Sequence, residues 1–173
     1  MLMTETGRLS IRRFELGDAE YILRQLNESS FKRNISDKQV RDIADAEKYL
    51  LDVPLASYEK HGFGLYLVVL KDQQIPIGMC GLVKRDELDY PDLGYAFLPD
   101  FWGQGYAFEA SQAVLSNAVR IHRLDNILGL VLPHNHGSER LLVKLGFAFD
   151  STIEIAGNTN NLYLYRSRDR APY

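Results

Sequence analysis

The sequence predicts one α/β domain of the α+β type, with a mixed, mostly antiparallel central sheet of about six to seven strands flanked by about four helices. Segments with strand-like patterns and segments with helical spacing follow one another along the whole chain. The 173 residues are enough for one core, and neither a linker nor a repeat divides them. Residues 1–173 are therefore predicted to form a single domain.

Seven segments are predicted as strands because they alternate in polarity or are continuously apolar. They are residues 9–14, 63–70, 75–83, 93–98, 127–132, 147–155 and 161–165. Residues 71–74 and the Gly157-Asn158 pair have the composition of turns. The strands on either side of each turn are predicted to pair as hairpins.

Four segments have the apolar spacing of amphipathic helices. They are residues 19–26, 40–51, 107–121 and 135–145. Asp18 is predicted as the N-cap of the first helix, and Gly146 as the residue that ends the fourth. Residues 27–37 are polar and predict a loop, while Pro54 is expected to break or bend the chain after the second helix.

Composition narrows the class of protein. The net charge of −3 argues against a general nucleic-acid binder, and no apolar run is long enough to span a bilayer. The first residues lack the basic and apolar regions of a signal peptide, so a cytoplasmic location is expected. Cys80 is the only cysteine and no metal-ligand spacing is present, so no metal is predicted.

The most informative segment, residues 98–110, leads from a strand through a glycine-spaced turn into a helix. We call residues 102–107 the glycine loop; it contains Gly103 and Gly105. Backbone N–H groups at a helix N-terminus attract anions, and glycine lets a bulky anion approach the backbone. The segment therefore predicts a ligand that carries phosphate groups.

A dinucleotide is one alternative for that ligand. Gly103 and Gly105 match the first two glycines of the dinucleotide fingerprint, and Asp125 lies at a suitable distance. However, Phe108 replaces the third glycine, and a hairpin rather than a βαβ unit precedes the loop. A nucleotide-dependent oxidoreductase is therefore disfavoured, and the absence of Gly-Lys-Ser/Thr excludes a P-loop.

Two spaced signatures resemble the GNAT N-acetyltransferases, and most closely their RimJ/RimL-type branch, which includes acetylases of ribosomal-protein N-termini. The first comprises Gly94-Tyr95 and residues 98–110; the second comprises Asn135-x-x-Ser138 and Lys144-Leu145-Gly146-Phe147. The resemblance implies an acyltransferase that moves acetyl from acetyl-CoA to a primary amine by direct attack in a ternary complex. The amine would belong to a protein N-terminus or a small molecule, and the enzyme would be a monomer or homodimer.

The same resemblance implies a binding site for acetyl-CoA. The positions it assigns are Phe97, Leu98, Trp102, Gly103, Gln104, Gly105, Tyr106, Ala107, Asn135 and Ser138. Backbone N–H groups at Phe97 and Leu98 are the candidates for polarising the thioester carbonyl. Because the glycine loop contains no Lys or Arg, its N–H groups would hold most of the diphosphate, and Arg140 and Lys144 are candidates for the outer phosphates.

Ser138, Asp92 and Asn135 are the catalytic candidates. Ser138 would donate a proton to the CoA thiolate, although it could equally be an ordinary first-turn residue, and Asn135 would contact the pantetheine arm or the amine and could also cap the helix. The tyrosine general acid of many relatives is Leu142 here. Asp92 is the first candidate base, with Glu87, Asp86 and a water chain as rivals.

The missing tyrosine and the open choice of base leave one other function possible. The chain could be a catalytically idle acyl-CoA-binding or regulatory module on the same fold. The sequence does not distinguish among peptide N-termini, polyamines, antibiotics and other amines as acceptors.

Overall fold

The computed structural model describes residues 1–167, which form one eight-stranded sheet. The strands are β1 Leu2–Glu5, β2 Leu9–Arg13, β3 Leu65–Leu70, β4 Ile75–Val83, β5 Asp92–Phe97, β6 Asn126–Val131, β7 Ala148–Ile155 and β8 Asn158–Arg166. Their order across the sheet is β1-β2-β3-β4-β5-β6-β8-β7. The β5–β6 pair is parallel and every other neighbouring pair is antiparallel. The predicted fold class is confirmed, with one strand more than expected.

Six α-helices within residues 1–167 flank the sheet. They are α1 Ala19–Asn27, α2 Ser29–Asn34, α3 Ile43–Leu50, α4 Ala56–His61, α5 Tyr106–Arg120 and α6 His136–Leu145. Within residues 1–167, no helix has both the length and the apolar character needed to cross a membrane. In the same residues, no group of three or more His, Cys, Asp or Glu side chains is placed to hold a metal ion.

Three short elements escaped prediction because tertiary packing, not a local pattern, stabilises them. β1 is a four-residue edge strand that pairs only with β2 among the described strands. α2 lies in the predicted loop and is fixed by the buried ring of Phe31. α4 follows Pro54, because the chain passes this proline in a wider π-helical turn over Leu51–Leu55 and stays helical. Asp18 lies at the N-cap position of α1, as predicted, but its side chain makes no capping hydrogen bond to that helix. Its carboxylate accepts from Arg12 and from the Glu15 N–H instead.

Within the described residues, the sheet separates the two larger apolar cores, and a smaller cluster contains Leu88, Leu128 and Ile155. On one face, side chains of α5 and α6 pack with Leu93 and Phe97 of β5. On the other face, side chains of α1 and α3 pack with Leu98, directly after β5. Because side chains alternate along a strand, the odd-numbered residues of β5 face α5 and α6, and the even-numbered residues face α1 and α3.

The two parallel strands in the middle of the sheet separate soon after they meet. Within the described chain, their aligned pairing consists of Asp92 opposite Leu128, supported by a hydrogen bond of 2.9 Å from the Leu128 N–H to the Pro91 carbonyl oxygen. Beyond this point β5 and β6 have no aligned residues. The gap between their C-terminal halves is here called the cleft. The glycine loop follows the C-terminal end of β5 and α6 follows the C-terminal end of β6, so both lie at the open end of the cleft.

Candidate active site

The glycine loop follows a short 3₁₀ turn, Pro99–Phe101, and its last two residues, Tyr106 and Ala107, are the first two of α5. Gly103 and Gly105 have φ values of 71° and 83°, a conformation that favours glycine. A Cβ atom on Gly103 would have nothing within 4 Å, so backbone conformation rather than lack of space demands glycine there. The exposed loop therefore presents the N-terminus of a 15-residue helix to solvent.

Trp102 ties the loop back to β5. Its indole N–H donates a hydrogen bond of 2.8 Å to the carbonyl oxygen of Phe97, while 51% of its surface stays exposed. An exposed ring anchored at one edge offers an apolar surface beside the loop. This hydrogen bond fixes the start of the glycine loop against the end of β5.

The backbone directions of β5 distinguish the two expected carbonyl-polarising groups. The N–H of Leu98 donates to the carbonyl oxygen of Ile77, on the β4 side, at 2.9 Å. Successive backbone groups alternate between the two edges of a strand, so the N–H of Phe97 is directed toward β6 and the cleft. The expectation for the Leu98 N–H is therefore wrong, whereas Phe97 has the required direction.

Asn135 and Ser138 lie together at the start of α6. The Asn135 side chain accepts a hydrogen bond of 3.2 Å from the Ser138 N–H, which confirms Asn135 as the N-cap. The Ser138 hydroxyl is hydrogen-bonded to the hydroxyl of Tyr95, which reaches across from β5. The Tyr95 hydroxyl also lies 3.3 Å from the Ser138 carbonyl oxygen. The pair brings β5 and α6 together across the cleft.

Sequence reasoning did not assign Tyr95 a place beside Ser138. Burial raises the pKa of Tyr95, so its hydroxyl remains protonated and can donate a hydrogen bond. The available signal was the alternation along β5, which places Tyr95 on the same face as Leu93 and Phe97, toward α6. Which α6 residue lies opposite it depends on how α6 packs against the sheet, and no local pattern indicates that packing.

Asp92 begins β5 where the strands still touch. It is only 2% exposed, so its carboxylate is buried at the start of the strand. The Arg85 Nε atom donates to its carboxylate at 2.8 Å. Burial raises the pKa of Asp92, although the charge of Arg85 opposes the shift. Asp86 and Glu87, the rival bases, are exposed on the connection between β4 and β5.

Two cations were expected near the outer phosphates, and the structure places one of them beside the glycine loop. The Lys144 ammonium lies 4.4 Å from the centroid of the Phe108 ring, in the first turn of α5. Phe108, the residue that replaces the third glycine, thus supports a cation near the loop. Arg140 is exposed on the same helix as Lys144.

These parts together suit a diphosphate-bearing thioester. The glycine loop offers N–H groups and a helix N-terminus, Lys144 adds positive charge nearby, and the cleft leads past Phe97 to the hydroxyls of Tyr95 and Ser138. A dinucleotide fingerprint would instead need glycine at Phe108, whose ring is packed here under Lys144.

Comparison with known proteins agrees with this arrangement. Residues 8–148 match the family model described as an acetyltransferase (GNAT) domain. A relative named "Uncharacterized N-acetyltransferase p20" from Bacillus licheniformis is 27% identical over 143 residues, covering 82% of this chain and 80% of its own. YkkB of Bacillus subtilis is 30% identical over 96 residues, 53% of this chain and 56% of that protein.

Among solved structures, RimL, a ribosomal L7/L12 α-N-protein acetyltransferase in complex with coenzyme A, has the same fold. It superposes with a TM-score of 0.82 at 14% identity, covering 96% of this chain and 98% of RimL. The family match spans most of the chain and includes β2 to α6, the glycine loop and the Ser138 region. The chain therefore belongs to the GNAT family of acetyltransferases.

Proposed function

We propose that this protein transfers acetyl from acetyl-CoA to a primary amine by direct attack in a ternary complex. The observation that carries the proposal is the cleft: β5 and β6 separate just beyond Asp92 and Leu128, with the glycine loop at its open end. The loop would hold the diphosphate, with Lys144 and Arg140 near the outer phosphates. The pantetheine arm would lie in the cleft, with its thioester near Phe97, Tyr95 and Ser138.

The reaction makes three demands. The attacking amine must be neutral, the carbonyl oxygen must be stabilised as it gains negative charge, and the sulfur must leave as a thiol. The Phe97 N–H, directed toward the cleft, would donate to that oxygen. The amine nitrogen would form a bond to the carbonyl carbon, and the C–S bond would break.

Ser138 would supply the proton that the departing sulfur takes up. A serine hydroxyl is weakly acidic, but here it is hydrogen-bonded to Tyr95, so the Ser138 Oγ can take a proton from the tyrosine as it gives its own to the sulfur. The pair would recover its proton from water after the thiol leaves. This arrangement supplies a tyrosine from β5 where many relatives have one on the helix, at the position of Leu142.

The base and the acid would then act on opposite faces of β5. Asp92, an even-numbered residue, lies on the face of α1 and α3, whereas Tyr95 reaches α6 on the other face. An amine that enters from the α1 side could pass its proton through water to Asp92. Departure of the thiol on the α6 side would keep the two proton transfers apart.

The acceptor we propose is a peptide α-amine or a small-molecule amine in the cytoplasm. The α-amine ionises near pH 8 in model compounds, about two units below a lysine side chain, so it needs less help from a base. A buried aspartate that is paired with an arginine suits such an undemanding role. The protein would act as a monomer or a homodimer.

The test is a thiol-release assay with acetyl-CoA and a panel of amines, including peptides with free N-termini, polyamines and small amines, with mass spectrometry of the products. We expect thiol release only with an acceptor, matched by an N-acetylated product. CoA binding in calorimetry without turnover on any amine would favour an idle acyl-CoA-binding module. Failure to bind CoA would overturn the proposal.

A further inference from the structure

A charged group from a distant part of the chain lies against the glycine loop. Arg8, in the turn between β1 and β2, donates from Nη1 to the carbonyl oxygen of Gln104 at 2.9 Å. Its guanidinium lies 4.3 Å from the centroid of the Tyr106 ring, and a Cβ atom added to Gly105 would lie 3.4 Å from its Nη2 atom. Arg8 therefore contacts Gln104 and Tyr106 and lies beside Gly105, in a loop that has no cation of its own.

Glu109 fixes the position of this arginine. Arg8 donates to the Glu109 Oε2 atom from Nε at 2.7 Å and from Nη2 at 2.6 Å, and its backbone N–H donates to Oε1 at 3.0 Å. Thr6 adds a hydroxyl hydrogen bond of 2.5 Å to the same Oε1 atom. Although partial burial disfavours its charge, these hydrogen bonds hold the pKa of Glu109 below its usual value.

The sheet in turn fixes the residues that hold Glu109. The Thr6 N–H donates to the Leu9 carbonyl oxygen at 2.9 Å, and the Lys71 N–H donates to the Arg8 carbonyl oxygen at 3.0 Å. The backbone of Arg8 is thus fixed by the residue that follows β3, while its guanidinium is held by Glu109 in the first turn of α5. An anchored donor can impose one orientation on a flexible, glycine-containing segment.

Peptide geometry shows what that orientation does. The carbonyl of Gln104 and the N–H of Gly105 belong to one planar trans peptide, so they point in opposite directions. Because Arg8 holds the carbonyl, the Gly105 N–H is turned away from Arg8, toward the other side of the loop. Arg8 and the anion would then lie on opposite sides of the same peptide.

We infer that Arg8, Glu109 and Thr6 form a clamp that orients the Gln104–Gly105 peptide so that the Gly105 N–H can bind the diphosphate of the acetyl donor. Arg8 is a positioning residue in this scheme, because it acts through the loop backbone and does not touch the ligand. The inference rests on the proposed binding of acetyl-CoA at the glycine loop. The clamp compensates for the absence of Lys and Arg from the loop.

The test compares ligands with and without the diphosphate. Calorimetry would measure the affinities of R8M, R8K and the unsubstituted protein for CoA and for pantetheine, the arm alone. We expect R8M to weaken CoA binding about tenfold, which corresponds to the loss of one hydrogen bond to a charged ligand. Binding of pantetheine, which has no diphosphate, should be unchanged. R8K keeps the charge but not the planar fork, so it should weaken CoA binding by an intermediate factor.

The matched control is R12M, which breaks a similar ion pair, with Asp18, away from the glycine loop. Equal losses of CoA affinity in R8M and R12M, or equal losses for CoA and pantetheine, would overturn the clamp. E109Q separates positioning from simple charge, because it leaves Arg8 cationic but poorly held. The clamp predicts about threefold weaker CoA binding in E109Q; tighter binding would mean that Arg8 acts as a free charge and would overturn the clamp.

The same measurements separate this inference from the proposed function. If the unsubstituted protein fails to bind CoA, the proposed function is wrong. If it binds CoA and R8M binds equally well, only the clamp is wrong.

Discussion

Tyr95 and Asp92 lie three positions apart on β5, yet their surroundings differ in every respect that matters for proton transfer. Tyr95 faces α6 and shares a hydrogen bond with a hydroxyl, in a neutral pair. Asp92 faces the opposite side of the sheet and shares its hydrogen bond with a cation. Burial raises the pKa of both groups, but with opposite consequences. Tyr95 is kept protonated as a donor, and Asp92 becomes a stronger base.

In the proposed mechanism, this difference would let a single strand serve both substrates. The parallel pairing with β6 ends at Asp92, so the next residues of β5 border the cleft on one edge while still pairing with β4 on the other. Alternation then distributes the side chains to two separate compartments. We therefore expect substitutions on the Tyr95 face to impair departure of the CoA thiol. Substitutions on the Asp92 face should impair deprotonation of the amine.

The largest expected effect follows removal of the hydroxyl pair. S138A and Y95F should each lower kcat about a hundredfold, the lower range for loss of a positioned proton donor, with little change in KM for acetyl-CoA. Because both hydroxyls belong to one relay, the double variant should be no slower than either single variant. Steady-state kinetics with the best amine of the panel would measure this.

The control for the hydroxyl pair is S111A. Ser111 also has a buried hydroxyl near a second polar atom, with its Oγ 3.5 Å from the Cys80 Sγ. It lies on the buried face of α5, in the protein core. We expect its kcat to be unchanged. Multiplicative losses in the Y95F/S138A variant would show that the two hydroxyls act independently, contrary to the relay.

The donor side of this comparison was largely predictable, for a physical reason. The conformation of the glycine loop and the cap at Asn135 depend on residues that are near each other in sequence, so a short pattern contains the necessary information. The hairpins and the main helices were predicted on the same basis. Family resemblance then connected the two signatures that lie apart in sequence.

Contacts between distant residues were not predictable in the same way. Tyr95 and Ser138 are 43 positions apart, and Arg8 and Gln104 are 96 apart. The burial of Asp92 depends on where β5 meets β6, and the Leu98 N–H direction depends on the register with β4. A single sequence shows none of these registers, which arise only when the sheet assembles.

On the other face of β5, Asp92 is the proposed base. D92N should lower kcat/KM about tenfold, because water can partly replace the base, and should remove the acidic limb of its pH profile. The stability of D92N should depend on pH for a separate reason. A carboxyl whose pKa is raised on folding binds a proton more tightly in the native state, so its stabilising contribution exists at low pH and is lost as pH rises through the native pKa. At neutral pH, D92N should therefore cost little stability.

The matched control is D18N, which disturbs a carboxylate paired with Arg12 of β2 through two hydrogen bonds of 2.7 and 2.9 Å. We expect D18N to lower the free energy of unfolding by about 1 kcal/mol and to leave kcat/KM unchanged. Chemical denaturation and pH–rate profiles of both variants give the two readouts. An unaltered acidic limb in D92N would assign the base to Glu87, Asp86 or solvent.

The smallest expected effect concerns the glycine loop, where backbone strain can be distinguished from loss of CoA binding. Gly105 and Gly157 have φ values of 83° and 77°, so alanine at either position strains the backbone by about 1 kcal/mol. Gly157 lies in the turn between β7 and β8, and G157A should lose stability with normal CoA affinity. G105A should lose similar stability and also bind CoA about fivefold more weakly, since relief of the strain rotates the Gln104–Gly105 peptide that Arg8 holds. Thermal unfolding and calorimetry of both variants measure this difference.

Equal CoA affinities in G105A and G157A would show that the loop tolerates rotation of that peptide, and that the N–H groups of other loop residues bind the diphosphate.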